Sequence, residues 1–570
     1  MSGAIGSAGE HRGTWFGPAS RPLAGWWHVP ESGQARGAVV LAPPFAREHI
    51  SAHRTLRMLA RALVQAGFAV LRIDYDGTGD SAGNFDDPDR VAAWKSSIVA
   101  AVGEARVSGA EQVTVVAMRL GTQLAAAAAP ECDGLAGLVL WDPSDSPKAW
   151  LRQLNVLLHM SVQTAGTEEG PGETPGYVFP AACVEELTAL TWDAIPRPSV
   201  PTLVVGRSGR EAPRQLRTWL DDPHITWTTA PGQEDLLEVE SSSAAVPEEG
   251  VKTIADWLDA TLARATTAIT PTIRSRAVVG HLDDGSPIEE EHVRMGPAGL
   301  YGIVTETGAT VGPTYLLVNS ANEHHVGPAR QWVELARGWS HLSARSVRFD
   351  LSGLGDSPAR PGKPEHAVYA PEALDDAIDV ARAAAPANEK DVVFLGQCSG
   401  AYTSVEAGLR LRPTGVISIN LLPWVDPVDE ETGKVDPRRQ AVRGGSRTIR
   451  NLVNRDWIKG WKEDAPEWFW AFLDKTGIRH SPSRAFTMLV GQGVNTFVLA
   501  GDVDAELFLS RSAKHLRRME RGGRFQFTVV KDLHHSLYGA AEREVAAGLL
   551  TDWVRRLQES RGAVLPRKPG

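Results

Sequence analysis

Apolar residues fall into two spacings along this chain. Short continuous runs of strand type, Gly37–Ala42, Val113–Ala117, Pro201–Val205, Thr314–Val318, Val392–Leu395, Asn495–Ala500 and Phe525–Val530, are interspersed with longer stretches of helical character such as Val251–Leu262 and Ala401–Leu411. Runs that are apolar at successive positions suit strands covered on both faces, and strands alternating with helices build parallel sheets. The pattern predicts an α/β protein.

The pattern also occurs twice. Arg54, Leu59, Ala60 and Arg61 recur as Arg330, Leu335, Ala336 and Arg337, each 276 residues further on. Arg72, Asp74, Gly77, Gly79, Asp80 and Ser81 recur in the same register as Arg348, Asp350, Gly353, Gly355, Asp356 and Ser357. Each block follows an apolar strand and precedes a helical stretch and another strand, so one unit of structure is expected in each half. The segment 265–275 follows a helix and carries no apolar stripe, which marks it as a linker between a first domain, 1–264, and a second, 276–570. Asp74–Ser81 and Asp350–Ser357 read as structural turns rather than metal or phosphate loops, because they occur in both halves whatever the chemistry of each.

Composition narrows the function classes. The 570 residues allow two large domains, and the net charge of −10 comes with no basic block that could follow a phosphate backbone, so nucleic acid is not an expected partner. The amino terminus has no apolar core behind a basic start, and no apolar stretch reaches membrane-spanning length, so the expectation is a soluble, cytoplasmic protein. Cys132, Cys183 and Cys398 are too few and too scattered for a disulfide framework or a zinc cluster. No structural metal is indicated.

The Arg-Phe-Asp-x-x-Gly-x-Gly-Asp-Ser type of block ahead of a Gly-x-nucleophile-x-Gly turn resembles the α/β-hydrolase superfamily. Through the Pro43-Pro44-Phe45 loop and the Arg119-Leu120-Gly121 turn, both halves also resemble hydrolases associated with bacterial exosortase systems. The resemblance implies two tandem α/β-hydrolase domains, each a mostly parallel sheet flanked by helices, with a lid insertion over about 421–491 in the second.

Gly396-Gln397-Cys398-Ser399-Gly400 follows the strand Val392–Leu395 and precedes a helix, the context of a nucleophile elbow. Small flanking residues let the central side chain project, and a thiol at a helix amino terminus beside an imidazole is easily activated. Cys398 is the expected nucleophile. Ser399 is the competitor for that role, and otherwise supplies its N–H to the oxyanion hole. The superfamily order then implies an acid after the strand Asn495–Ala500, Asp504 in preference to Asp502. It places the histidine after Phe525–Val530, His535 in preference to His534. Gln397, His325 and Trp424 are candidate substrate-binding residues, with loop packing as the alternative for His325.

In the first half Arg119 stands where the nucleophile belongs and cannot attack a carbonyl. Gly209 matches Asp504, and Thr228–Asp235 offers no histidine. That half is expected to be non-catalytic, bracing the second, dimerising, or docking an acidic partner through Arg119. Trp424, Trp457, Trp461, Trp468, Phe469, Trp470 and Phe472 form an aromatic insertion that suits a lid gripping an acyl group, or its own small core.

The reading is a Cys-His-Asp acyl-transfer enzyme forming an acyl-cysteine, an acyltransferase or thioesterase using thioesters, with a place in specialised metabolism. Its substrate is a small-molecule or carrier-bound acyl group, with an acyl carrier protein as candidate partner. A hydrolase of a small ester or lactone is the alternative, and a non-catalytic binding protein is the alternative of another class. The mechanism requires no organic cofactor or metal.

Overall fold

The structure is a computed structural model that describes residues 11–161, 172–239, 241–421 and 482–562. The predicted lid falls largely on 422–481, so Trp424 and the other lid aromatics lie outside the described residues. Among the described residues no helix is long and apolar enough to cross a membrane.

Each half builds one large sheet. Across the first, the strands run in the order Arg12–Phe16, Leu23–His28, Ala69–Ile73, Ala38–Ala42, Val113–Met118, Leu135–Trp141, Thr202–Arg207, Ile225–Ala230. Across the second they run Arg276–His281, Pro287–Met295, Leu300–Glu306, Arg345–Phe349, Thr314–Val318, Val392–Gln397, Gly415–Ile419, Asn495–Gly501, Phe525–Val530. The leading strands pair antiparallel and the rest parallel in both sheets. Each half is thus an α/β unit with a mostly parallel sheet flanked by helices. Val39, Val40 and Leu41 are fully buried, as are Tyr315, Leu316, Leu317 and Val318, because helices cover both faces of each sheet.

The expected linker is laced to the first domain. Thr267–Ala268 pairs antiparallel with Gln34–Ala35, Thr270 N donates to Ser108 O at 2.8 Å, and Trp15 N donates to Arg274 O at 2.9 Å. Its polar sequence hid the buried Ile269, which anchors the strap in the first core.

The recurring block folds into the same turn twice. Asp80 N donates to Asp74 Oδ2 at 2.9 Å and Asp356 N to Asp350 Oδ2 at 2.8 Å; the Ser81 and Ser357 hydroxyls donate to the Asp74 and Asp350 carbonyls. Gly79 and Gly355 take positive φ, 48° and 47°, and a Cβ on either would strike the Asp74 or Asp350 carboxylate. The turn delivers Asp80 and Asp356 to the boundary between the halves, where each meets the arginine of the other block: Arg348 binds Asp80 and Arg72 binds Asp356.

His325 belongs to this junction. It is fully buried, with Nδ1 at 2.8 Å from Asp350 and Nε2 at 2.7 Å from Asp80 across the boundary. The expected substrate contact is therefore corrected: the ring is held between two carboxylates inside the protein. Burial opposes its charge, but Asp80 and then Asp350 overcome this and push its pKa up to about 10. Glu290 completes the cluster, 2.8 Å from Arg348 and 2.7 Å from Arg337. On the other side of the junction His53 lies 3.1 Å from Asp356.

Removing one partner of a buried ion pair leaves the other uncompensated, so Asp80→Ala is expected to destabilise the protein by about 3–5 kcal/mol, read from the midpoint of denaturant unfolding. The raised pKa of His325 also fixes the sign of a pH effect. Its contribution is complete below the ordinary histidine value of about 6.5 and is lost as pH rises through about 10. Wild-type protein should therefore lose more stability between pH 7 and 10 than His325→Gln does.

Candidate functional site

The strand Val392–Gln397 ends in the sheet and the helix Ser399–Leu411 begins one residue later, leaving Cys398 alone at the reversal. Cys398 has φ 52° and ψ −115°, a left-handed conformation costly for any residue but glycine, and it turns the side chain out of the sheet. A Cβ on Gly396 would come within 2.2 Å of the Gly400 backbone, and one on Gly400 within 2.8 Å of Asn319 O. Both glycines are required by close packing of strand, helix and neighbouring loop. Cys398 is partly exposed, whereas Cys132 and Cys183 are buried and burial pushes their thiols up to about 11 and about 12.

Asp504 sits in the first turn of the helix Asp502–Glu520, and His535 in the loop after the last strand. His535 Nδ1 is 3.0 Å from Asp504 Oδ2 and 3.1 Å from Oδ1. Cys398 is close enough to this ring to raise its pKa. Burial pulls the imidazole pKa down, but the bond to Asp504 and then the nearby Cys398 carry it up to about 10, so the ring is cationic at neutral pH. Asp502 instead accepts from Asp532 N at 3.1 Å, and the His534 ring stacks on Tyr538, centroids 4.8 Å apart.

Ser399 turns its hydroxyl away from this group. Its Oγ accepts from Ala321 N at 2.7 Å, while its own N–H is at the start of the helix, where no intrahelical carbonyl reaches it. Gln397, expected to touch substrate, is buried and donates through Nε2 to His535 O at 2.6 Å. Its position beside the nucleophile suggested a ligand, but its amide braces the histidine loop. Asn420 does the same at 3.0 Å through Nδ2, and its Oδ1 accepts from Gly501 N at 2.8 Å. Neither role was visible in sequence, since each links segments more than 80 residues apart.

Tyr369 is the site residue that sequence reasoning missed. It lies between Phe349 and the helix Ala373–Ala384, with its ring edge-on to Tyr402 at 5.7 Å, and burial first and then the nearby Cys398 raise its phenol above the ordinary pKa. A tyrosine in a polar loop carries no motif; the only local cue is the Tyr-Ala-Pro sequence ahead of a helix.

The first domain reaches both loops of this site. Gly176 N donates to Tyr538 O at 2.9 Å and Leu158 packs on the Tyr538 ring, just beyond His535. Arg57 and Arg61 bind Glu365 at 3.0 and 2.8 Å, four residues before Tyr369.

At the corresponding turn the first domain keeps the backbone conformation and carries an arginine. Arg119 has φ 56° and ψ −124°, nearly the geometry of Cys398. Its guanidinium is buried, 2.9 Å from Glu48, 3.5 Å from Asp142 and 3.2 Å from Gln153. Docking of an acidic partner through Arg119 is thereby corrected, because internal carboxylates already neutralise it.

No family model and no curated protein matches the chain. Solved structures similar to parts of it include a putative hydrolase from Agrobacterium vitis, 18% identical over 45% of this chain and 99% of that one, with a TM-score of 0.31. An esterase from Pyrococcus furiosus is 16% identical over 45% and 92%, with a TM-score of 0.32. A proline iminopeptidase from Mycobacterium smegmatis is 15% identical over 44% and 98%, with a TM-score of 0.32. Likenesses of this size speak to neither substrate nor mechanism.

The elbow glycines yield a direct expectation. Gly396→Ala must displace the Gly400 backbone, so labelling of Cys398 by iodoacetamide should slow at least tenfold, about 1.4 kcal/mol in the barrier. Peptide mass mapping of the labelled protein reads the rate.

Proposed function

We propose that the second domain is an acyl-transfer enzyme in which Cys398 carries the acyl group, His535 moves protons and Asp504 orients the imidazole. The observation supporting this reading is the His535 ring bound to Asp504 at 3.0 Å, with the thiol of Cys398 at a strand-to-helix turn close enough to raise the imidazole pKa. In this reading His535, oriented by Asp504, takes up the proton that Cys398 gives up, and a thiol activated in this way is a strong nucleophile.

The steps follow from these positions. The Cys398 sulfur attacks the acyl carbonyl, and the developing negative charge on oxygen faces the Ser399 N–H at the positive end of the helix. Collapse expels the leaving group, which takes a proton from His535. Neutral His535 then removes a proton from the acceptor, the acceptor attacks the acyl-cysteine, and sulfur leaves as thiolate while His535 keeps the proton. The groups return to their starting state.

A thioester is the donor that suits this site best. Exchange of an acyl group between two sulfurs is close to balanced in free energy, so a thiol nucleophile takes it up and hands it on without a deep trap on the enzyme. The substrate class is thus an acyl thioester, small or carrier-bound, with transfer or thioester hydrolysis set by the acceptor. The aromatic sequence within 422–481 supplies residues of the kind that grip acyl chains.

Brief exposure to a panel of acyl thioesters, followed by intact-protein mass spectrometry, should show a gain of one acyl group on Cys398 in the wild type. Cys398→Ala should show none. If iodoacetamide labels Cys398 but no thioester does, thioester chemistry is excluded and esters or lactones are next to try.

A further inference from the structure

We infer that Asn420 is a positioning residue for the Asp504–His535 pair, holding the end of the acid-bearing strand and the histidine loop at one fixed spacing. Its bearing on catalysis rests on the acyl-transfer reading of Cys398; its bearing on the geometry of the pair does not. The strand Gly415–Ile419 runs parallel to Asn495–Gly501, and Asn420 is the first residue beyond it. Its N–H donates to Leu499 O at 2.9 Å, which seats it on the neighbouring strand. From there the buried side chain reaches both ways. Oδ1 accepts from Gly501 N at 2.8 Å, just ahead of Asp504, while Nδ2 donates to the carbonyls of His535 at 3.0 Å and His534 at 3.2 Å. The Gly501 N–H needs an acceptor and the two carbonyls need a donor, and a side-chain amide supplies both without burying a charge.

The two segments that Asn420 joins are already in backbone contact. A Cβ on Gly501 would come within 2.2 Å of Leu533 O, and Asp532 N donates to Asp502 Oδ1 at 3.1 Å. Those contacts fix where the histidine loop begins. Asn420, with Gln397 at 2.6 Å, fixes it at His535 itself. The 3.0 Å bond from His535 Nδ1 to Asp504 Oδ2 depends on where both segments stand, and a displacement of one by about 1 Å takes it out of hydrogen-bond range. Asn420 belongs to neither segment and bonds to both. Its φ of 45° is left-handed, a conformation that asparagine tolerates better than most residues.

The first domain carries a counterpart that does half of this. Asp142 follows the strand Leu135–Trp141 with φ 49°, and its N–H donates to Val205 O at 2.7 Å. Its carboxylate binds the end of the adjacent strand through Arg207, with two contacts of 2.9 Å. In both halves this position ties down the neighbouring strand. Only in the second is it an amide, whose donor end faces the loop that bears the histidine.

Asn420→Gly removes the amide and leaves the left-handed backbone unstrained. Burial lowers the pKa of His535 and the bond to Asp504 raises it, so a loosened pair should titrate lower. With histidines labelled by carbon-13 at Cε1, and the His535 resonance identified by its loss in His535→Gln, the midpoint should fall by about one pH unit or more from that of the wild type. Single-turnover acylation of Cys398 by a short acyl thioester should slow about tenfold or more. Val416→Ala opens a cavity in the strand leading to Asn420 and also costs stability, yet should leave the His535 midpoint in place. A midpoint unchanged in Asn420→Gly, or moved as far by Val416→Ala, would overturn the assignment. If the wild type takes iodoacetamide but no thioester, the acyl-transfer reading falls while the titration still decides the positioning role. Should Asn420→Gly not fold, Asn420→Ser, which keeps a hydroxyl for the Gly501 N–H on a shorter side chain, is read in the same way.

Discussion

A carboxylate without water needs a cation against it, and Asp80 and Asp356 each find theirs in the opposite half of the chain. The arrangement is reciprocal because the turn that carries each aspartate is the continuation of the strand that carries an arginine, Arg72 before Asp80 and Arg348 before Asp356. Bringing two such blocks face to face satisfies both at once. The apolar patch of Trp15, Trp26, Tyr301 and Ile303 between the leading strands covers the junction and keeps water from screening it. Neither half can shed the other without uncovering buried charge, and the relative placement of the two sheets is fixed accordingly.

That fixed placement bears on the site. The strand-to-helix turn at Cys398 is internal to the second domain, but the two loops beside it are irregular backbone, which by itself holds geometry poorly. Each has a tether from the first domain: Gly176 and Leu158 at Tyr538 beyond His535, Arg57 and Arg61 at Glu365 before Tyr369. The helix that supplies Arg57 and Arg61 also supplies His53 to Asp356. Loop anchoring and domain junction are therefore parts of one contact surface. The first domain, whose own strand-to-helix turn carries an Arg119 neutralised by Glu48, thus touches both loops around Cys398.

The fold was readable from sequence to a close approximation. Thr314–Val318 and Phe525–Val530 form strands with the expected limits, and Val392–Leu395 extends by only two residues, because strands buried on both faces leave uninterrupted apolar runs. The recurring Arg-to-Ser blocks announced two like units, and the turn expected of them is present, though its glycines and aspartates gave no hint of contact between the halves. Misplaced residues share a cause. His325, Gln397 and Arg119 are polar groups next to strand ends, where ligand contact and internal pairing look alike in one dimension. Their partners, Asp80, the His535 carbonyl and Glu48, are distant in sequence.

Tyr369 marks the limit of motif reasoning more sharply. Elbow, acid and histidine lie at the ends of regular elements, so their spacing is written in the elements themselves. A group carried by a loop is placed by whatever holds the loop, here a carboxylate bound by arginines that lie some 300 residues earlier in the chain. The first domain, through Arg57 and Arg61, therefore has a hold on this loop of the second domain that no local sequence pattern records, because the two ends of each ion pair lie in different halves of the chain.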